Sequence, residues 1–364
     1  MDRVFRKSVR LFFGFFLGML LIAGGTTAFV DPFFHYHKPI SGLNYNLHDE
    51  RYQNYGIVNH FDYDAIITGT SMTENFRTSE FDAIFGVTSV KVPFSGGSHR
   101  EVAELLDSAF DHNDNIKYVI RSVDLFRAFD KKDSLDYSED SYPTYLNDTN
   151  PINDVKYLFN KQIFFEETVG VIRRTIGHSA VTTMDDYGAW WPYYTCGISA
   201  IQDAYHRDQV EPGLTEVSEE EYTDIRENME ANVIRLAQEN PDTTFYLYIA
   251  PYSIYFFDYI NEMGSLDRYL DAEEYIIRLF LEQDNIKIYS FFTEEEIICN
   301  PNNYRDVAHH NAEVNSQILQ WMKEDHDLIT KENCEEYFEK TRAFFHEYDY
   351  DSLFAEDGYT LLGE

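Results

Sequence analysis

The 364-residue chain predicts an α/β fold, a parallel sheet with crossover helices in three α/β/α layers, preceded by one membrane-spanning helix. Three observations carry this. Short β-prone apolar runs alternate with amphipathic helical stretches, the pattern of βαβ units. The strand-like runs end in small-residue turns, where such folds place ligands. The first thirty residues divide into a basic flank and an uncharged apolar run.

Arg3, Arg6, Lys7 and Arg10 precede residues 11–30, which hold no charge and carry seven Phe or Leu side chains in their first ten positions. About 20 residues at helical rise cross a hydrocarbon core, so this run is expected to span a membrane. The basic flank before it and Asp31-Pro32 after it place the N-terminus in the cytoplasm and the main domain outside. A cleaved signal peptide is the competing reading, with Thr26-Thr27-Ala28 as a small-residue cleavage region. The length of the apolar run favours an uncleaved anchor.

Residues 33–50 are aromatic, with His and turn residues, and read as a connection. Residues 63–68 (Tyr-Asp-Ala-Ile-Ile-Thr) read as a buried strand entering the turn Gly69-Thr70-Ser71. Ser71-Met72-Thr73-Glu74 also fits a capping box with Ser71 as N-cap. A second strand over 87–92 ends at Pro93-Phe94-Ser95-Gly96-Gly97-Ser98, a helix follows over 99–112, and 116–122 supplies a third strand. Periodicity weakens over 130–217, rich in Asp, Tyr, Asn and Pro and containing Trp190-Trp191-Pro192-Tyr193-Tyr194; this reads as an insertion or cap. A helix over 219–239, an aromatic strand over 244–250, a helix over 266–282, a strand over 286–291 and a helix over 311–324 complete the alternation. The expected division is an anchor at 1–30, a connection at 31–60, an α/β domain at 61–325 and an acidic extension at 326–364.

Residues 1–30 carry four basic groups and one acidic group, so of the total of −35 about −38 falls on the outer part. That charge argues against nucleic acid or an anionic membrane surface as partner. Cys196, Cys299 and Cys334 are too few for a disulfide scaffold, and one bridge at most can form within a monomer.

An early Ser in a Gly-Thr-Ser turn and a late Asp-x-x-His, here Asp306 and His309, form the layout of a serine esterase or acyltransferase. A serine hydroxyl becomes nucleophilic when an imidazole accepts its proton and a carboxylate fixes that imidazole's tautomer. The tetrahedral intermediate needs donors, for which the backbone N–H of Ser71, one from the Gly96-Gly97 turn and a side-chain amide are candidates. His310 beside His309 allows a metal reading with Asp306, but no ligand-spaced cluster accompanies it. The Trp190–Tyr194 run could stack on sugar rings or simply pack. His99 could line the pocket or begin its helix.

These residues resemble the SGNH/GDSL hydrolase superfamily, with a nucleophilic Ser after the first strand and Asp-x-x-His before the last helix. More narrowly, Gly-Thr-Ser-Met-Thr-Glu-Asn-Phe, Phe-Ser-Gly-Gly-Ser, Ala250-Pro251-Tyr252-Ser253 and Asn-Tyr-Arg-Asp-Val-Ala-His-His-Asn resemble its membrane-anchored Gram-positive branch. That branch holds relatives of the D-alanine transfer protein of teichoic acid modification and of polysaccharide O-acetylation proteins. The resemblance covers residues 60–325.

It implies an SGNH-hydrolase-like sheet of flavodoxin-like character, with Ser71 as nucleophile, His309 as general base, Asp306 as its orienting carboxylate, and Gly96 or Gly97 as the second-block oxyanion glycine. It requires no cofactor or metal. The superfamily's third-block oxyanion Asn is absent: Ser122-Val123-Asp124-Leu125 stands there, and Asn75 is the candidate replacement. The implied activity is an acyl-ester hydrolase or transferase on a cell-envelope polymer, with a membrane-bound O-acyltransferase as partner. An inactive binding or scaffold protein is the alternative.

Overall fold

Runs of β-branched and aromatic residues build the sheet. In the computed structural model, which describes residues 3–136, 143–148 and 150–355, the strands are β1 (Ala65–Gly69), β2 (Ser89–Pro93), β3 (Tyr118–Ser122), β4 (Thr244–Ile249), β5 (Ile286–Ser290) and β6 (Leu328–Ile329). Their order is β2-β1-β3-β4-β5-β6. The first five run parallel, with Ala65 opposite both Ser89 and Tyr118, and β6 is antiparallel, with Ile329 opposite Ile288. Nearly every residue of β1 to β5 is buried, as expected of a parallel sheet covered on both faces. The order 2-1-3-4-5 is doubly wound, and it reverses between β1 and β3; such sheets bind ligands in the crevice beyond the strand ends at that point.

The described residues form two compact units, Met1–Phe61 with Tyr137–Tyr187, and Asp62–Asp136 with Gly188–Glu364. The sheet lies in the second. Within it, helix Thr78–Phe85 packs on Ala312–Glu324, and His99–His112 packs on the continuous helix built from Glu219–Met229, a π segment Glu230–Ile234 and Arg235–Glu239. That helix in turn packs on Leu266–Phe280. Two cations are buried in the strands. Lys91 Nζ donates to the carbonyls of Glu74 and Phe76 at 2.5 and 2.9 Å, and Arg121 Nη1 to that of Asn232 at 2.7 Å. Helix Cys334–Glu347 belongs to the same unit, where Phe345 stacks on Phe257 with centroids 3.6 Å apart.

In the first unit, α1 (Arg3–Val30) is long and apolar enough to cross a membrane. It ends at Asp31, whose buried carboxylate accepts the N–H groups of His35, Tyr36 and His37 at 2.7–3.0 Å and the Tyr157 hydroxyl at 2.8 Å. Phe33, Leu146, Tyr157 and Ile163 form this unit's core, with Tyr52 of α2 (Glu50–His60) against them. The 130–217 stretch is thus shared between the two units. Cys196, Cys299 and Cys334 are unpaired thiols.

Candidate active site

β1 ends at Gly69, where φ is +140° and a Cβ would fall 2.2 Å from Ser122 Oγ of β3. Only glycine satisfies both demands. The next residue is fastened twice, because the Thr70 N–H donates to Ser122 Oγ at 3.2 Å and Thr70 Oγ1 to Asp124 Oδ2 at 3.1 Å. On the other side, the Met72 carbonyl accepts from Tyr248 OH and Asn315 Nδ2, both at 3.2 Å. The turn is therefore rigid on both sides of Ser71.

Ser71 does not cap a helix, contrary to the sequence pattern. Thr70 is the cap of a single 3-10 turn, Ser71–Thr73, and the next α-helix begins only at Thr78. The Ser71 side chain instead points to His309, with Oγ 2.8 Å from Nε2.

His309 lies on a loop closed by the bridge between Tyr304 and His310 and by Asn311 N–H to Asn303 O at 2.8 Å. The loop is moored to the end of β4. Tyr304 OH donates to the Pro251 carbonyl at 2.6 Å, and Ser253 donates to the Val307 carbonyl through both N–H and Oγ. Asp306 then turns its carboxylate onto the ring, with Oδ2 2.8 Å and Oδ1 3.0 Å from His309 Nδ1. Oδ1 also accepts the N–H groups of Ala308 and His309 at 2.9 and 2.8 Å. Burial pushes the Asp306 carboxyl up, but the His309 ring and these amides outweigh it and hold it below the usual carboxylate range. An ionised Asp306 keeps the ring proton on Nδ1 and leaves Nε2 to accept from Ser71.

Of the two glycines, Gly97 has its N–H bonded to the Phe94 carbonyl at 2.8 Å, and a Cβ there would sit 2.5 Å from Phe94 Cβ. Gly96, at φ +65°, gives its carbonyl to Arg127 Nη2 at 2.6 Å, while its N–H finds no acceptor among the described residues. The Ser71 N–H is in the same state. Those two amides are the candidate donors for an incoming oxygen.

Asn75 is buried and clamps two loops. Its Oδ1 accepts the N–H groups of Trp190 and Trp191 at 3.2 and 3.1 Å, and its Nδ2 donates to the His310 carbonyl at 3.3 Å. His310 is itself buried, with Nδ1 3.4 Å from the Asn311 carbonyl, and burial pushes its pKa down to about 4. His99 is buried against Arg121.

No protein-family model and no curated protein matches the chain. Among solved structures, it is similar to a Streptococcus pneumonia protein provisionally described as a platelet activating factor, at 11% identity over 76% of this chain and 90% of that one, with a TM-score of 0.40. So distant a likeness carries no argument here.

Three contacts of the site were not readable from the sequence, although Trp190 and Asp124 were named in it. Trp190 stands edge-on to His309, with centroids 6.4 Å apart. Arg305 lies over the rings of both Trp190 and Tyr194, at 4.9 and 4.1 Å, with Nε 3.6 Å from Asp306 Oδ2. Asp124 braces the nucleophile turn, with Tyr252 OH donating to its Oδ1 at 2.5 Å. Cys196 is no rival nucleophile, because burial, then Asp306 and Glu313, push its thiol up to about 11.

Proposed function

We propose that the chain is a membrane-anchored serine acyl-ester hydrolase or acyltransferase of SGNH type, its sheet covered by helices in three layers. We place its main domain outside the cytoplasmic membrane, handling O-acetyl or D-alanyl groups of a cell-envelope polysaccharide or teichoic acid. The observation that carries the reading is the continuous contact from Ser71 Oγ through His309 to Asp306. Ser71 Oγ attacks the acyl carbonyl while its proton passes to Nε2, and Asp306 stabilises the resulting imidazolium. The N–H groups of Ser71 and Gly96 receive the oxyanion. Collapse expels the leaving oxygen, which takes the proton from Nε2 and leaves an acyl-Ser71 ester. His309 then deprotonates water or a polymer hydroxyl, which attacks that ester and frees Ser71.

A transferase on the outer face has no access to cytoplasmic acyl-CoA, so the acyl group would come through a membrane-bound O-acyltransferase partner. One observation favours the second reading, an inactive binding or scaffold protein for that partner: the superfamily's third-block oxyanion Asn is absent, with Ser122-Val123-Asp124-Leu125 in its place.

Fluorophosphonate labelling of the purified protein separates the two readings. Labelling at Ser71, found by peptide mapping and lost in Ser71→Ala and His309→Ala, is the expected result. A folded wild type that takes no label would put the scaffold reading first.

A further inference from the structure

Residues 152–176 carry an apolar surface that the reaction does not use. Ile152, Val155, Phe159, Phe165 and Ile176 are 78, 54, 45, 59 and 74% exposed. Exposed apolar residues on a soluble surface are ordinarily scattered singly, and a cluster marks a binding surface. This cluster is helical over most of its length, through Val155–Leu158, Ile163–Thr168 and Val169–Ile176.

Its first two pieces, Val155–Leu158 and Ile163–Thr168, are seated on α1 within the same compact unit. The Phe159 ring fills the place where Gly24 has no side chain; a Cβ on Gly24 would lie 2.9 Å from it. Thr168 Oγ1 lies 3.4 Å from Thr27 Oγ1, and Tyr157 OH reaches Asp31 at the helix end. Met19 and Ala23 of α1, with Leu158, Phe159, Phe164 and Phe165, line an apolar groove of about 440 Å³.

Depth decides what covers this surface. Gly24 precedes the last residue of α1 by six positions, about 9 Å at helical rise. If α1 spans a membrane, Phe159 lies at that depth, and interfacial helices bury their apolar faces by about 5–10 Å. Charge agrees. Residues 152–176 hold four basic groups, Lys156, Lys161, Arg173 and Arg174, against three acidic ones, Asp154, Glu166 and Glu167, in a chain of −35. Asp154 accepts from Tyr36 OH at 3.0 Å, and Glu167 faces His48 at 3.4 Å.

We propose that residues 152–176 are a second, interfacial membrane contact. Phe159 and Phe165 enter the acyl region beside α1, and the cations stand at the lipid phosphates. The unit around α1, rather than α1 alone, is then seated in the bilayer. The proposal rests on the reading of α1 as a membrane span.

The test uses the full chain in vesicles of phosphatidylglycerol and phosphatidylcholine, with the photoreactive residue p-benzoylphenylalanine replacing Phe165 or, as reference, Leu17 of α1. The expected result is a phospholipid adduct from both positions. An adduct from Leu17 alone would overturn the proposal and leave the anchor standing. Adducts from neither would remove the anchor reading and the proposal with it. A protein–protein adduct at position 165 would show that a second copy covers the surface, and would overturn it too.

Discussion

Asp306→Asn removes the charge of the relay and its control of the His309 tautomer together. Asn keeps an oxygen for the N–H groups of Ala308 and His309, which Oδ1 now accepts, so the loop should hold its shape. Two things change. The carboxylate charge 2.8 Å from Nδ1 is lost; against an imidazolium at that distance it contributes about 6 kcal/mol at an effective dielectric of about 20. The Asn amide, a donor, also favours the tautomer with its proton on Nε2, which cannot accept from Ser71. At about 1.4 kcal/mol per tenfold, the charge alone corresponds to a loss of about 10⁴ in rate. The assay is the second-order rate constant of fluorophosphonate labelling at Ser71 near pH 7, beside a denaturant titration of each protein. A variant that remains folded and labels within about tenfold of wild type, against the about 10⁴ expected, would refute the assignment of Asp306.

Ser71→Ala should abolish labelling while costing within about 1 kcal/mol of stability, the net size of one hydrogen bond, because among the described residues the only side-chain bond of Ser71 is to His309; denaturant midpoints check this. Asn75→Ala strips a partner from the N–H groups of Trp190 and Trp191 and from the His310 carbonyl. Each buried group left unpaired costs about 1–3 kcal/mol, so this variant should lose both stability and labelling, and a midpoint equal to wild type would refute the clamp. His99→Gln should flatten the acid limb of stability. Burial, then Arg121 and Arg127, push the His99 pKa down to about 3, so the unfolded chain takes up a proton that the native state refuses, below a pH of about 6.5. The stability is thus complete above that pH and is lost as pH falls, by about 1.4 kcal/mol per unit. Between pH 7 and 5 the wild type should lose about 2 kcal/mol more than His99→Gln, and parallel titration curves for the two would refute it.

Strands β1 to β5 were legible because each is a short β-prone run closed by a turn, and their placement differs from the sequence reading by two residues or fewer at each end. β6 was not, since two residues give no period, and its pairing with β5 depends on a distant contact. Helix Ile254–Glu262 was missed for another reason. Ile-Tyr-Phe-Phe-Asp-Tyr-Ile is apolar almost all round and buried almost all round, so no polar face marks its turns. At the site, Ser71, Asp306 and His309 could be named from residue type and order, yet Ser71 and His309 are 238 positions apart, and only the fold brings them to 2.8 Å. The Asn75 clamp was beyond local reasoning, because all three partners of its amide lie more than a hundred residues away.

Asp124 bears on which reaction the site is suited to. A carboxylate facing the developing oxyanion would oppose it, but both oxygens are engaged elsewhere, Oδ1 with Tyr252 OH and the Phe126 N–H, Oδ2 with Thr70 Oγ1. Burial, then Asp124 itself, push the Tyr252 phenol well above its ordinary range, so it remains a donor to the carboxylate. The carboxylate thus fixes the turn that carries Ser71, and in the proposed reaction stabilisation of the oxyanion falls to the N–H groups of Ser71 and Gly96. A missing side-chain donor costs about 10²–10³ in kcat in acyl-transfer enzymes. On that proposal, a site with two backbone donors is handicapped most toward unactivated esters, whose barrier depends most on oxyanion stabilisation. It is handicapped least toward an acyl group that arrives already activated on a carrier. That difference is a physical reason to assay transfer from an activated donor to a polymer hydroxyl before hydrolysis of a simple ester.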